Sequence, residues 1–126
     1  MKRRVLVVVS DLFFATRIDT TAKLLDVEAR AVDVARAAAA CRESAPDLVI
    51  LDLHGPGDPL ALARTLKADA TTKAIQVVGF YSHVDGAMRQ AALEAGIDRV
   101  MPRSAFTAKL AEILGGSAPA ARGDDP

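Results

Sequence analysis

Two aspartates stand where short apolar runs end: Asp11 closes "RVLVVVSD", and Asp52 closes "LVILD" just before the turn Gly55-Pro56-Gly57. A carboxylate at the mouth of a buried strand costs desolvation free energy unless something offsets it. Two such acids together can do specific chemistry. Mg²⁺ accepts one or two carboxylates alongside waters, a carbonyl and phosphate oxygens. An aspartate carboxylate can also attack phosphorus and form an acyl phosphate. Taken singly, each acid has a plainer use. Asp is a favoured helix N-cap, which suits Asp11 ahead of a helix beginning near Leu12, and Asp52 can cap its own loop.

The segments around these acids must bring them together. "RVLVVVS" (4–10), "DLVILDL" (47–53), "IQVVGFY" (75–81) and "IDRVM" (97–101) read as buried strands, and "VEARAVD" (27–33) alternates like an edge strand. Alanine-rich stretches with helical spacing lie between them, at 12–25, 34–44, 58–69, 84–95 and 104–114. Continuous apolar runs mean strands covered on both faces, as parallel sheets require. Five β-then-α units predict a doubly wound α/β domain of flavodoxin-like (βα)5 form, with strand order 2-1-3-4-5. In that order strands 1 and 3 are neighbours, so Asp11 and Asp52 reach the same rim. Like charges that close raise one pKa unless a cation sits between them.

Length and composition narrow the classes. The 126 residues make one domain, expected over 1–115, with a tail from 116 to 126 of disordered composition. The Arg122-Gly123-Asp124 tripeptide in that tail carries no weight as an adhesion signal. Sixteen basic and sixteen acidic residues balance, and there is no Trp and one Tyr, so nothing favours nucleic acid or an anionic membrane. Cys41 has no partner for a disulfide and is expected to pack as a small hydrophobe on a helix. The apolar run at 5–9 is too short for an export signal, and no segment approaches a membrane span. A cytoplasmic protein is expected.

The order of elements, "VLVVVSD", "PDLVILDLHGPGDP" and "ALEAGIDRVMPRSAF" together resemble the receiver domain of bacterial two-component response regulators, over residues 3–114. The proline four residues after Asp52 and the "EAGID" seven residues before Arg103 are specific parts of the likeness. The resemblance implies a phosphoacceptor at Asp52. It implies Mg²⁺ held by Asp11, Asp52, the backbone carbonyl of His54 and, through a water, Ser10.

Four positions depart from the family's pattern. Ser10 replaces one acid of the pair after strand 1, so Mg²⁺ binding is expected to be weak. Arg103 stands at the family's lysine, as a planar fork able to pair with Asp52 at rest or to clamp a phosphate. Tyr81 falls where a Thr or Ser normally contacts the phosphoryl group. A phenol is too long for that place, so either it fills the pocket over Asp52 or a bulge presents Ser82 instead. Val100 falls at the switch aromatic of strand 5, leaving no ring to swing.

The expectation is an atypical receiver in phosphorelay signalling, not an enzyme, with phosphorylation at Asp52. Its alternative is a phosphorylation-independent pseudo-receiver, a protein-protein interaction module using helix 4, strand 5 and helix 5. A flavodoxin-like enzyme or nucleotide binder fits poorly, because "SDLFFAT" has no glycine to admit a phosphate. No output domain is expected after helix 5, so the expected partners are a histidine kinase or phosphotransfer protein and a separate downstream protein. The family docks kinases on helix 1, making Phe13 and Phe14 the candidate partner face. Adjacent residues cannot share one face of a helix, so one ring should be buried against the sheet and the other exposed or lying over the site, with burial of both the default expectation.

Overall fold

A computed structural model describes residues 2–82 and 85–116. Residues 83 and 84, the second of which opens the fourth expected helix, lie outside it, as does the expected tail from 117 onward with its Arg122-Gly123-Asp124.

Five strands, β1 (Arg4–Val8), β2 (Glu28–Ala31), β3 (Leu48–Asp52), β4 (Gln76–Tyr81) and β5 (Arg99–Pro102), form one sheet in the order β2-β1-β3-β4-β5. Every pairing is parallel, as the continuous apolar runs predict. Between the strands run α1 (Leu12–Leu24), α2 (Val34–Ser44), α3 (Pro59–Ala68) and α4 (Gly86–Glu94), and after β5 come α5 (Arg103–Ala108) and α6 (Leu110–Gly115). The single helix expected at 104–114 is thus broken at Lys109, where φ is −106° and ψ 12°. The hydrogen bonding passes through the break, since the Lys109 N–H still donates to Ala105 O at 3.0 Å.

Strand alternation divides the core in two. Val5, Val7, Ile50, Val78, Phe80 and Met101 pack with Phe14, Ile18, Phe106 and Leu110 on one face. Leu6, Val8, Val49, Leu51, Leu53, Val77, Tyr81 and Val100 pack with Cys41, Leu62 and Leu66 on the other. Cys41 is fully buried there, and burial raises its thiol pKa, as suits an inert small hydrophobe. Gly79 is a close-approach position: a Cβ added there would meet Leu53 carbons at 3.2 Å.

The loops that enter the helices share one device. Asp11, Asp33, Asp58 and Asp85 cap α1 to α4, each side chain accepting from the backbone N–H three residues on. At the opposite edge of the sheet, Asp98 explains "EAGID". Its Oδ2 accepts from Val77 N at 2.8 Å and from Lys67 Nζ at 2.8 Å, and Lys67 also donates to Ile75 O at 2.9 Å. Asp98 therefore ties α3 to the start of β4 and β5. Asp98→Ala is expected to cost about 1–2 kcal/mol, because a charge-assisted pair and a backbone acceptor are lost at a half-exposed position. Urea denaturation checks this, and an unchanged midpoint would mean that the tie contributes nothing net.

Candidate functional site

Backbone register brings the two acids to one rim. Val8 pairs with Leu51 across β1 and β3, so Asp11 and Asp52 both leave the sheet at its carboxyl edge. The topological switch point lies between these strands, where α/β sheets place ligands. Asp52 is buried, with its side chain 7% exposed, while that of Asp11 is 45% exposed.

Each carboxylate divides its oxygens between structure and site. Oδ1 of Asp11 accepts from Phe14 N at 3.1 Å, and Oδ1 of Asp52 accepts from His54 N at 2.9 Å. The capping roles are therefore real. The remaining oxygens face Arg103, which follows β5 directly: its Nη1 lies 3.7 Å from Asp11 Oδ2 and its Nη2 lies 3.8 Å from Asp52 Oδ2. These separations are too long for direct hydrogen bonds, so the attraction is between charges.

Aromatic rings position the arginine. Its guanidinium carbon lies 4.8 Å from the Phe14 ring centroid and 5.2 Å from that of Phe80, both within cation–π range. Phe80 stacks on Phe106 at 4.8 Å, and Phe14 meets Phe80 edge-on at 5.1 Å. A planar guanidinium can lie against rings and still extend two nitrogens, which an ammonium cannot do. Sequence reasoning did not find Phe80. Its only sequence signal is its place beside Tyr81 in a buried strand, which says nothing about a cation arriving from β5.

Tyr81 and Ser82 both line a cavity of about 260 Å³ with Asp52, His54, Phe80 and Arg103. Tyr81 is buried and Ser82 exposed. The β4–β5 register is unbroken through Tyr81↔Pro102, so no bulge presents Ser82; Tyr81 is the strand's last residue and forms the cavity wall. Val100 is buried on the same sheet face as Tyr81. The ring thus sits on β4 and the small side chain on β5.

Ser10 is exposed and lines a different space, an apolar cavity of about 450 Å³ shared with Val8, Val34, Asp52 and Gly57. His54 is exposed. Phe13 is 88% exposed and Phe14 only 7%, so the two rings divide between faces and the default of burying both does not hold. Leu12 beside Phe13 is 80% exposed.

The donors suit a divalent cation poorly as they are arranged. A cation between Asp11 and Asp52 would compete with Arg103 for the two Oδ2 atoms that it faces, and each Oδ1 already accepts a backbone N–H. Among the described residues, no group of three or more His, Cys, Asp or Glu side chains is placed to hold a metal.

A scan of protein-family models finds no match for the chain, and a search of curated proteins finds none. Solved structures do match. The chemotaxis response regulator CheY4 of Vibrio cholerae is 14% identical with a TM-score of 0.80, covering 90% of this chain and 97% of that one. The phosphorylated cyanobacterial phytochrome response regulator RcpA is 20% identical with a TM-score of 0.78, covering 100% and 98%. The receiver domain of a sensor histidine kinase from Pseudomonas aeruginosa, with magnesium in its active-site cleft, is 16% identical with a TM-score of 0.77, covering 92% and 99%. The chain has the receiver fold of two-component response regulators. At these identities the likeness is one of fold.

Proposed function

We propose that this protein is an atypical receiver in a phosphorelay, accepting a phosphoryl group on Asp52 from a histidine kinase or phosphotransfer protein. The observation that carries this reading is the placement of Asp52. Its carboxylate is buried and lines a cavity of about 260 Å³, with the Arg103 guanidinium 3.8 Å from its Oδ2. That space is ample for a phosphoryl group. As Asp52 Oδ2 bonds to phosphorus, the donor's P–N bond breaks and the imidazole leaves with the electron pair. Arg103 then faces the phosphoryl oxygens as a charged, two-pronged donor. Phe13 and Leu12 at the start of α1 supply the exposed apolar contact for the donor protein. A separate downstream protein reads the result.

Tyr81 and Val100 set the signal apart from conventional switching. Tyr81 is a wall of the cavity, and Val100 offers no ring to reorient. The pseudo-receiver reading draws on the same two positions, and one experiment separates the two. Beryllofluoride, an acyl-phosphate mimic, is added to labelled protein with and without Mg²⁺ while amide NMR spectra are followed. Shifts centred on residues 10–11, 52–56 and 103 are expected. A folded protein whose spectrum does not move under either condition would sink the phosphoacceptor reading and leave the interaction module.

The weak Mg²⁺ binding implied by the resemblance would require Arg103 to leave its present position. Asp11, Asp52 and the His54 carbonyl are the groups that would then hold the ion.

A further inference from the structure

We infer that Arg103 occupies the seat of the divalent cation: the resting site is a carboxylate pair bridged by an arginine, and it excludes metal until that side chain moves. The inference deepens the receiver reading and rests on it for its functional meaning, but the geometry stands by itself. Two carboxylates brought to one rim repel unless a positive charge lies between them. Here that charge is built into the chain. Nη1 faces Asp11 and Nη2 faces Asp52, so one guanidinium answers both acids, and the three groups leave a formal charge of −1.

Three further observations agree. A third carboxylate that would draw a dication is missing: residue 10 is a serine, exposed and lining the neighbouring apolar cavity, not the one containing Arg103. The Phe14 and Phe80 rings lie within cation–π range of the guanidinium, at 4.8 and 5.2 Å, and Asp11 fixes Phe14 by accepting its backbone N–H at 3.1 Å. The separations of 3.7 and 3.8 Å also matter. Neither carboxylate consumes an arginine donor in a short hydrogen bond, so the fork remains able to meet an oxyanion. Metal binding and the resting arginine position are therefore mutually exclusive.

Mn²⁺ is the probe, followed by water-proton relaxation enhancement in the absence of any phosphoryl donor. Parent, Arg103→Ala, Arg103→Lys and the double variant Asp52→Asn with Arg103→Ala are compared, each first shown to be folded by its amide spectrum. Removing a unit charge a few ångströms from the carboxylates is expected to tighten Mn²⁺ by at least about tenfold in Arg103→Ala. Arg103→Lys, which keeps the charge but not the fork, is expected to lie between parent and Arg103→Ala. The double variant should lose the gain. Parent protein that binds Mn²⁺ as tightly as Arg103→Ala would overturn the inference, and so would Arg103→Ala that binds none. Failure of phosphorylation leaves these outcomes unchanged, so the two readings fail separately.

Discussion

Asp52→Asn is expected to abolish phosphoryl uptake completely while leaving a folded protein. An amide is not a nucleophile toward phosphorus, and no neighbouring carboxylate can replace it, because Asp11 is engaged at the α1 cap and stands on a different strand end. The substitution is otherwise gentle. Asparagine keeps an oxygen to accept the His54 N–H, the 2.9 Å bond that shapes the loop after β3. It removes a buried charge together with its attraction to Arg103, two terms of opposite sign. The net change in stability should therefore fall within about 1 kcal/mol. Intact-protein mass after incubation with a small phosphoryl donor reads the first effect, and thermal melting reads the second. A phosphoryl increment that persists in Asp52→Asn would place the modification elsewhere.

Phe106→Ala has the largest expected effect on stability, about 3–5 kcal/mol. Phe106 is completely buried and its ring contacts both aromatic neighbours, with centroids 4.8 Å from Phe80 and 5.8 Å from Phe14. Removing the ring loses its transfer free energy and leaves a hole that three different elements, α1, β4 and α5, would have to close together. For a domain of this size the loss corresponds to a fall of roughly 10–20 °C in melting temperature. The consequence reaches the site, because Phe80 loses its stacked support and Arg103 rests against Phe80. Phe106→Leu should cost much less, since volume is largely kept. A cost below about 1 kcal/mol for Phe106→Ala would mean that the cluster refills itself and does not hold the arginine rigidly.

The apolar runs, their helical spacers and the Asp11 cap of α1 were legible in the sequence, because periodicity and capping are local properties. They determined the strand order and, through it, the meeting of Asp11 with Asp52. Helix geometry placed Phe13 and Phe14 on different faces, but that Phe13 is the exposed ring, against the default of burying both, came only from the structure. The break at Lys109 was not legible either, since the alanine-rich pattern runs straight across it. The sequence left Arg103 with two roles, a partner for Asp52 or a clamp for phosphate, and left Tyr81 and Ser82 as rivals for one position. Only the tertiary structure gives these residues a geometry. An intact β4–β5 register makes Tyr81 the cavity wall, and rings from two other elements turn Arg103 toward both carboxylates at once. The reason is physical: a fold can be encoded in local periods, but the direction of a long charged side chain is chosen by groups distant in the chain, whose positions exist only after folding.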